Sequence, residues 1–164
     1  MKDVSEADPR VLIPGLANLG PGVERYRVKG GAVAVLLLDA GDVLQICDPE
    51  GCQPVEVTAF DHEGRSDTAL LGAGRGAPAT GISEILTSDN ADIRRVTEAL
   101  AAHAVDVAYA QAVQVFASDS PAGETRRLTA QADLVCIVGV PGSRMLPYEQ
   151  HSPPDVIVHG YRVA

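Results

Sequence analysis

A chain of 164 residues fits one domain, and folding at that length buries about two-thirds of the surface the unfolded chain exposes. Its formal net charge of -9 would repel phosphate backbones and anionic membranes, and with 4% aromatics and no Trp it lacks the makings of a base-stacking platform. Nucleic-acid and membrane-surface roles are set aside on those grounds. No run approaches the ~18 apolar residues of a membrane helix, and Met1-Lys2-Asp3-Val4-Ser5-Glu6 lacks the apolar stretch of a signal peptide, so a cytoplasmic location is expected. Three cysteines, an odd and low count, fit a reducing compartment and not a disulfide framework.

Residues 1–22 hold Pro9, Pro14 and Pro21 around one short apolar run, Val11-Leu12-Ile13, and read as an irregular arm ahead of a single β-rich domain, 23–164. Strands are expected at 23–28, 32–38, 43–48, 53–60 and 67–71. Asp39-Ala40-Gly41-Asp42 breaks the apolar pattern between the second and third of these, which predicts a hairpin. Asp48-Pro49-Glu50-Gly51 carries the type I turn signature. In the strand that follows, Val55, Val57 and Ala59 alternate with Pro54, Glu56 and Thr58, so one face should be buried and Glu56 should point to solvent or into a cavity. The Gly-rich stretch 72–81 reads as a loop, with no Gly-Lys-Ser/Thr to make it a phosphate cradle and a short apolar run after it instead of a helix. One helix is well signalled: Ser88, Asp89 and Asn90 offer caps, and Ile93, Val96, Leu100 and Ala104 recur at helical spacing. Further strands are expected at 111–117, 124–129, 132–140 and 155–163. The sum is an α+β domain, a mostly antiparallel, barrel-like sheet with one main helix.

Asp61-His62-Glu63-Gly64-Arg65-Ser66-Asp67 is the densest polar cluster and could supply a carboxylate and an imidazole as acid and base. A solvated turn explains the same residues and is the commoner case. Any ligand-binding site is expected here, from Asp61, His62 and Arg65, lined by Gln53 and Glu56. Cys47 and Cys52 flank a tight turn and should face each other across adjacent strands; structural thiols are favoured over a metal pair because no second ligand pair exists. Cys136 reads as a small core residue. His103 near the helix end reads as complementing the dipole, and His151 and His159 are scattered. No Gly-x-Ser-x-Gly elbow or helix-face histidine pair is present, so no catalytic residue and no metal ligand is assigned. Arg144 and Tyr148, in a Pro-rich loop, are candidate interface anchors.

Ala40-Gly41-Asp42, Asp48-x-Glu50-Gly51-x-Gln53, Glu56 and Ala59-Phe60, with Pro121-Ala122-Gly123-Glu124, Ala132-Asp133-Leu134-Val135 and the Pro141-Gly142 turn, resemble the urea carboxylase-associated family. Pro141-Gly142-Ser143-Arg144-Met145-x-Pro147, then Ser152-Pro153-Pro154-Asp155, is similar to the form fused ahead of glycine-cleavage T-protein-like aminomethyltransferases. The His/Cys insert of stand-alone members has no counterpart between Leu71 and Ser88. The resemblance implies a non-catalytic accessory domain or subunit beside a tetrahydrofolate-dependent aminomethyltransferase or demethylase acting on small methylated or amine substrates. The folate would then sit on the partner, and this chain would bind no cofactor of its own. Alternatives are a metal-assisted hydrolase of guanidine-like or urea-like compounds, a small-molecule sensor, and a homo-oligomer with a shared site.

Overall fold

The computed structural model describes residues 11–13, 16–18, 23–87, 91–117, 119–141 and 155–163. The elements are β1 (Val11–Ile13), β2 (Leu16–Asn18), β3 (Val23–Val28), β4 (Val33–Leu38), β5 (Val43–Asp48), β6 (Val55–Phe60), β7 (Ala77–Pro78), α1 (Thr80–Leu86), α2 (Ala91–Ala102), β8 (Gln111–Val115), β9 (Glu124–Thr129), β10 (Leu134–Gly139) and β11 (Val156–Tyr161). A larger sheet runs β1-β2-β4-β10-β6-β8-β7 and a smaller one β3-β11-β5-β9. All neighbours are antiparallel apart from β2 beside β4. No described helix is long and apolar enough to cross a membrane.

Three layers follow from which side chains are apolar. Ala34, Leu36 and Leu38 of β4, Val55, Val57 and Ala59 of β6 and Cys136 and Val138 of β10 form one core with Leu44 and Ile46 of β5, Leu128 of β9 and Val156 and Val158 of β11. That core lies between the two sheets. The opposite face of the larger sheet, with Val35, Phe60 and Ile137, is covered by Ile82 and Ile85 of α1 and Ile93, Val96 and Leu100 of α2. β10 is central and covered on both faces, which is why its whole sequence, LVCIVG, is apolar and buried. Burial pushes the Cys136 thiol up to about 12, so it is an inert core group.

The α+β, mostly antiparallel class holds, but the two sheets stack and do not close into a barrel. The expected hairpin does not form. β4 pairs with β2 and β10, whereas β5 pairs with β11 and β9, so the Asp39–Asp42 turn carries the chain from one sheet to the other. The Asp48–Gly51 turn carries it back. The reason is burial: with Leu36 and Leu38 facing Leu44 and Ile46 across the sandwich, all four are 1% exposed or less. Both corners are closed by carboxylates. Asp42 accepts the Asp39 N–H (2.8 Å) and the Val163 N–H (3.1 Å). Asp48 accepts the Gly51 and Gln53 N–H groups, each at 3.0 Å. The expected strand at 67–71 is a 3-10 helix, Thr68–Leu71, capped by Asp67 and ended by left-handed Gly72. α1 lies where a loop and an apolar run were expected. The cap candidates Ser88, Asp89 and Asn90 fall outside the described residues.

Candidate functional site

The five expected ligand-binding residues fall at opposite ends of β6, separated by a six-residue strand rising roughly 3.3 Å per residue. At its start Gln53 is 4% exposed. Its Nε2 donates to the carbonyls of Pro54 (2.7 Å) and Pro141 (3.0 Å). Glu56 shares its face of β6 with Thr58 and Phe60, of which Phe60 lies under the helices, and Glu56 itself is half-buried. Its carboxylate accepts the Gly81 N–H at 2.8 Å and the Ile82 N–H at 3.3 Å. It thereby caps α1, whose own N-cap, Ala79, has no capping side chain. A Cβ on Gly81 would collide with Glu56 Oε2 and lie 2.6 Å from Pro141 Cγ, so glycine is what admits this contact. Gln53 and Glu56 are thus internal struts joining β6, α1 and Pro141.

Past the end of β6, Asp61 organises its own turn. Its Oδ1 accepts the Glu63 and Arg65 N–H groups, each at 2.9 Å, and its Oδ2 faces Arg65 Nε at 3.3 Å. The Arg65 N–H, then the Glu63 N–H and the guanidinium, hold its carboxyl below the usual carboxylate range. Gly64 has φ +82, and a Cβ there would run into the Ala104 carbonyl, so the turn is seated against the chain leaving α2. His62 lies with Nε2 3.8 Å from Glu63, its side chain 85% exposed.

Beside this turn is a cleft of about 300 Å³. Its apolar lining comes from the end of β4, at Leu37 and Leu38, and the start of β10, at Leu134 and Val135, of which Leu37 and Val135 face the helix-covered side. Its polar wall is Asp39, Asp61, Asp133, His62 and His103. Asp39 is braced by Arg162 Nη1 at 2.7 Å, and Asp133 accepts the Ala40 N–H at 2.9 Å. An apolar lining beside three carboxylates suits a small methylated cation, and His62 and His103 bring two imidazoles to the same wall. Sequence reading placed Asp61 and His62 here but not Asp39, His103 or Asp133. No spacing could have grouped them, because the ends of β4, β10, β6 and α2 meet only in the folded sheet.

Cys47 and Cys52 do not face each other across a hairpin, since β5 and β6 lie in different sheets. Cys52 instead has φ 61 and sets its Sγ 3.5 Å from the Ser120 carbonyl. Among the described residues no three His, Cys, Asp or Glu side chains converge as metal ligands. The candidate interface residues Arg144 and Tyr148 lie outside the described residues.

No protein-family model matches the chain. It is 37% identical over 136 residues to trimethylamine-oxide aldolase of Ruegeria pomeroyi, a match spanning 82% of this chain and 17% of that protein's length. A solved DUF1989 family protein from Silicibacter pomeroyi is 15% identical, with a TM-score of 0.47 over 87% of this chain and 80% of that one. Neither match names a urea carboxylase or an aminomethyltransferase. The expectation of a non-catalytic accessory component is corrected by the first match, which is to a protein named as an enzyme.

Proposed function

We propose that this chain belongs to an enzyme acting on a small methylated amine oxide, with aldolase-type release of a one-carbon aldehyde. The observation that carries the reading is the 37% identity to trimethylamine-oxide aldolase, which runs along 82% of the chain. The chain spans 17% of that relative's length, and the proposal is that this chain itself carries the reaction.

The cleft at the end of β6 supports the same reading. Trimethylamine oxide puts three methyl groups around a cationic nitrogen, and the cleft offers an apolar lining with Asp39, Asp61 and Asp133 along its wall. In net terms the N–O bond and one N–C bond break, the oxygen ends doubly bonded to the departing carbon, and one methyl hydrogen ends on nitrogen. Formaldehyde and dimethylamine then balance the substrate with no outside oxidant. A proton must leave carbon and arrive at nitrogen, and His62 and His103 are the groups on this wall suited to move it.

The test is formaldehyde release from trimethylamine oxide by the purified chain. The expected result is release that a His62→Gln/His103→Gln double variant slows by about 100-fold or more. Release at the uncatalysed rate by the unaltered chain would overturn the reading.

A further inference from the structure

On the other flank of the 61–67 turn lies a second cavity, of about 400 Å³, between the Thr68–Leu71 helix, the 72–76 glycine loop and the start of β8. Its walls are fixed. Thr68, 4% exposed, donates its hydroxyl to the Gly74 carbonyl, and the Gln111 N–H donates to Ser66 Oγ at 2.8 Å. A Cβ on Gly76 would lie 2.8 Å from Thr68 Cγ2 and 3.1 Å from the Ala112 carbonyl, which pins one side of Arg75. A Cβ on Gly74 would meet nothing within 4 Å, so the other side is open.

Two opposite charges line this cavity, Asp67 and Arg75, and no ion pair joins them. Asp67 uses Oδ1 to accept the Ala69 N–H at 2.9 Å, and this is the one contact its carboxylate makes among the described residues. Arg75 makes no hydrogen bond or ion pair among the described residues. A ligand of one sign would be attracted by one of these groups and repelled by the other. A ligand carrying both signs satisfies both at once, and the guanidinium fork matches a carboxylate in particular.

We propose that this cavity is a binding site for a small zwitterion, with an anionic carboxylate on Arg75 and a cationic nitrogen on Asp67. The site is independent of the cleft bearing His62 and His103 and of the activity proposed for it. The backbone of the loop carrying Arg75 and of the helix carrying Asp67 is already tied down, so the ordering that binding requires falls chiefly on the exposed Arg75 side chain.

The experiment is titration of the chain with glycine betaine, followed by the amide NMR signals of Gly74, Arg75 and Gly76. The expected result is saturable shifts at millimolar betaine. Acetate and tetramethylammonium, each with one charge, should bind at least tenfold more weakly. Arg75→Gln and Asp67→Asn should each weaken betaine binding at least tenfold; Asp67→Asn keeps the oxygen that caps the helix, so its spectrum should otherwise match the parent. His62→Gln/His103→Gln should bind betaine unchanged whether or not the chain turns over trimethylamine oxide. No saturable shift, equal binding of acetate and betaine, or variants that bind like the parent would overturn the proposal.

Discussion

Glu56 shows how far a residue's role depends on what folds against it. In sequence it is a lone carboxylate on a wet strand face; in the fold it holds the first N–H groups of a helix 25 residues later in the chain. Glu56→Ala should cost about 1–2 kcal/mol, with Glu56→Gln losing roughly half of that, read from urea unfolding. Asp61 gives a second prediction. Its folded pKa lies below the ordinary value of 3.8, so its turn bonds stabilise the protein above that pH, and the contribution is lost as pH falls through the lower folded value. Asp61→Asn should therefore lower the melting temperature at pH 6, with the difference from the parent shrinking as pH falls below the ordinary carboxylate range.

At the scale of elements, strand positions were legible and partners were not. The runs Val33–Leu38, Val43–Asp48 and Val55–Phe60 stand at the expected places because β-branched alternation and turn residues are local signals. Whether two such runs pair edge to edge or face each other across a sandwich depends on burial partners that lie far along the chain. The Asp39–Asp42 and Asp48–Gly51 turns look like hairpin turns and act as corners. Asp48 is fully buried and accepts two backbone N–H groups, so Asp48→Ala should cost roughly 2–4 kcal/mol, measured by denaturant unfolding, whereas a solvated hairpin turn would lose well under 1. α1 escaped notice for a matching reason. Thr80-Gly81-Ile82-Ser83-Glu84-Ile85-Leu86 has a glycine in its first turn and no local cap, because its cap is Glu56 and the glycine makes room for it.

For the whole molecule, the larger sheet gathers chemistry at one end. β4, β10 and β6 bring Asp39, Asp133, Asp61 and His62 to one edge, and the chain leaving α2 adds His103. Of that site only Asp61 and His62 could be seen in sequence, since the remaining residues come from separate elements. The function proposed for the chain is placed in this cleft, and the three carboxylates and the apolar lining are the features that support it. The most direct test uses trimethylamine oxide carrying ¹³C in its methyl groups, followed by NMR with the purified chain at near-neutral pH. The account predicts labelled formaldehyde hydrate and dimethylamine in equal amounts, suppressed in the His62→Gln/His103→Gln variant. Trimethylamine oxide left intact by the unaltered chain, or products formed equally fast by the double variant, would contradict it.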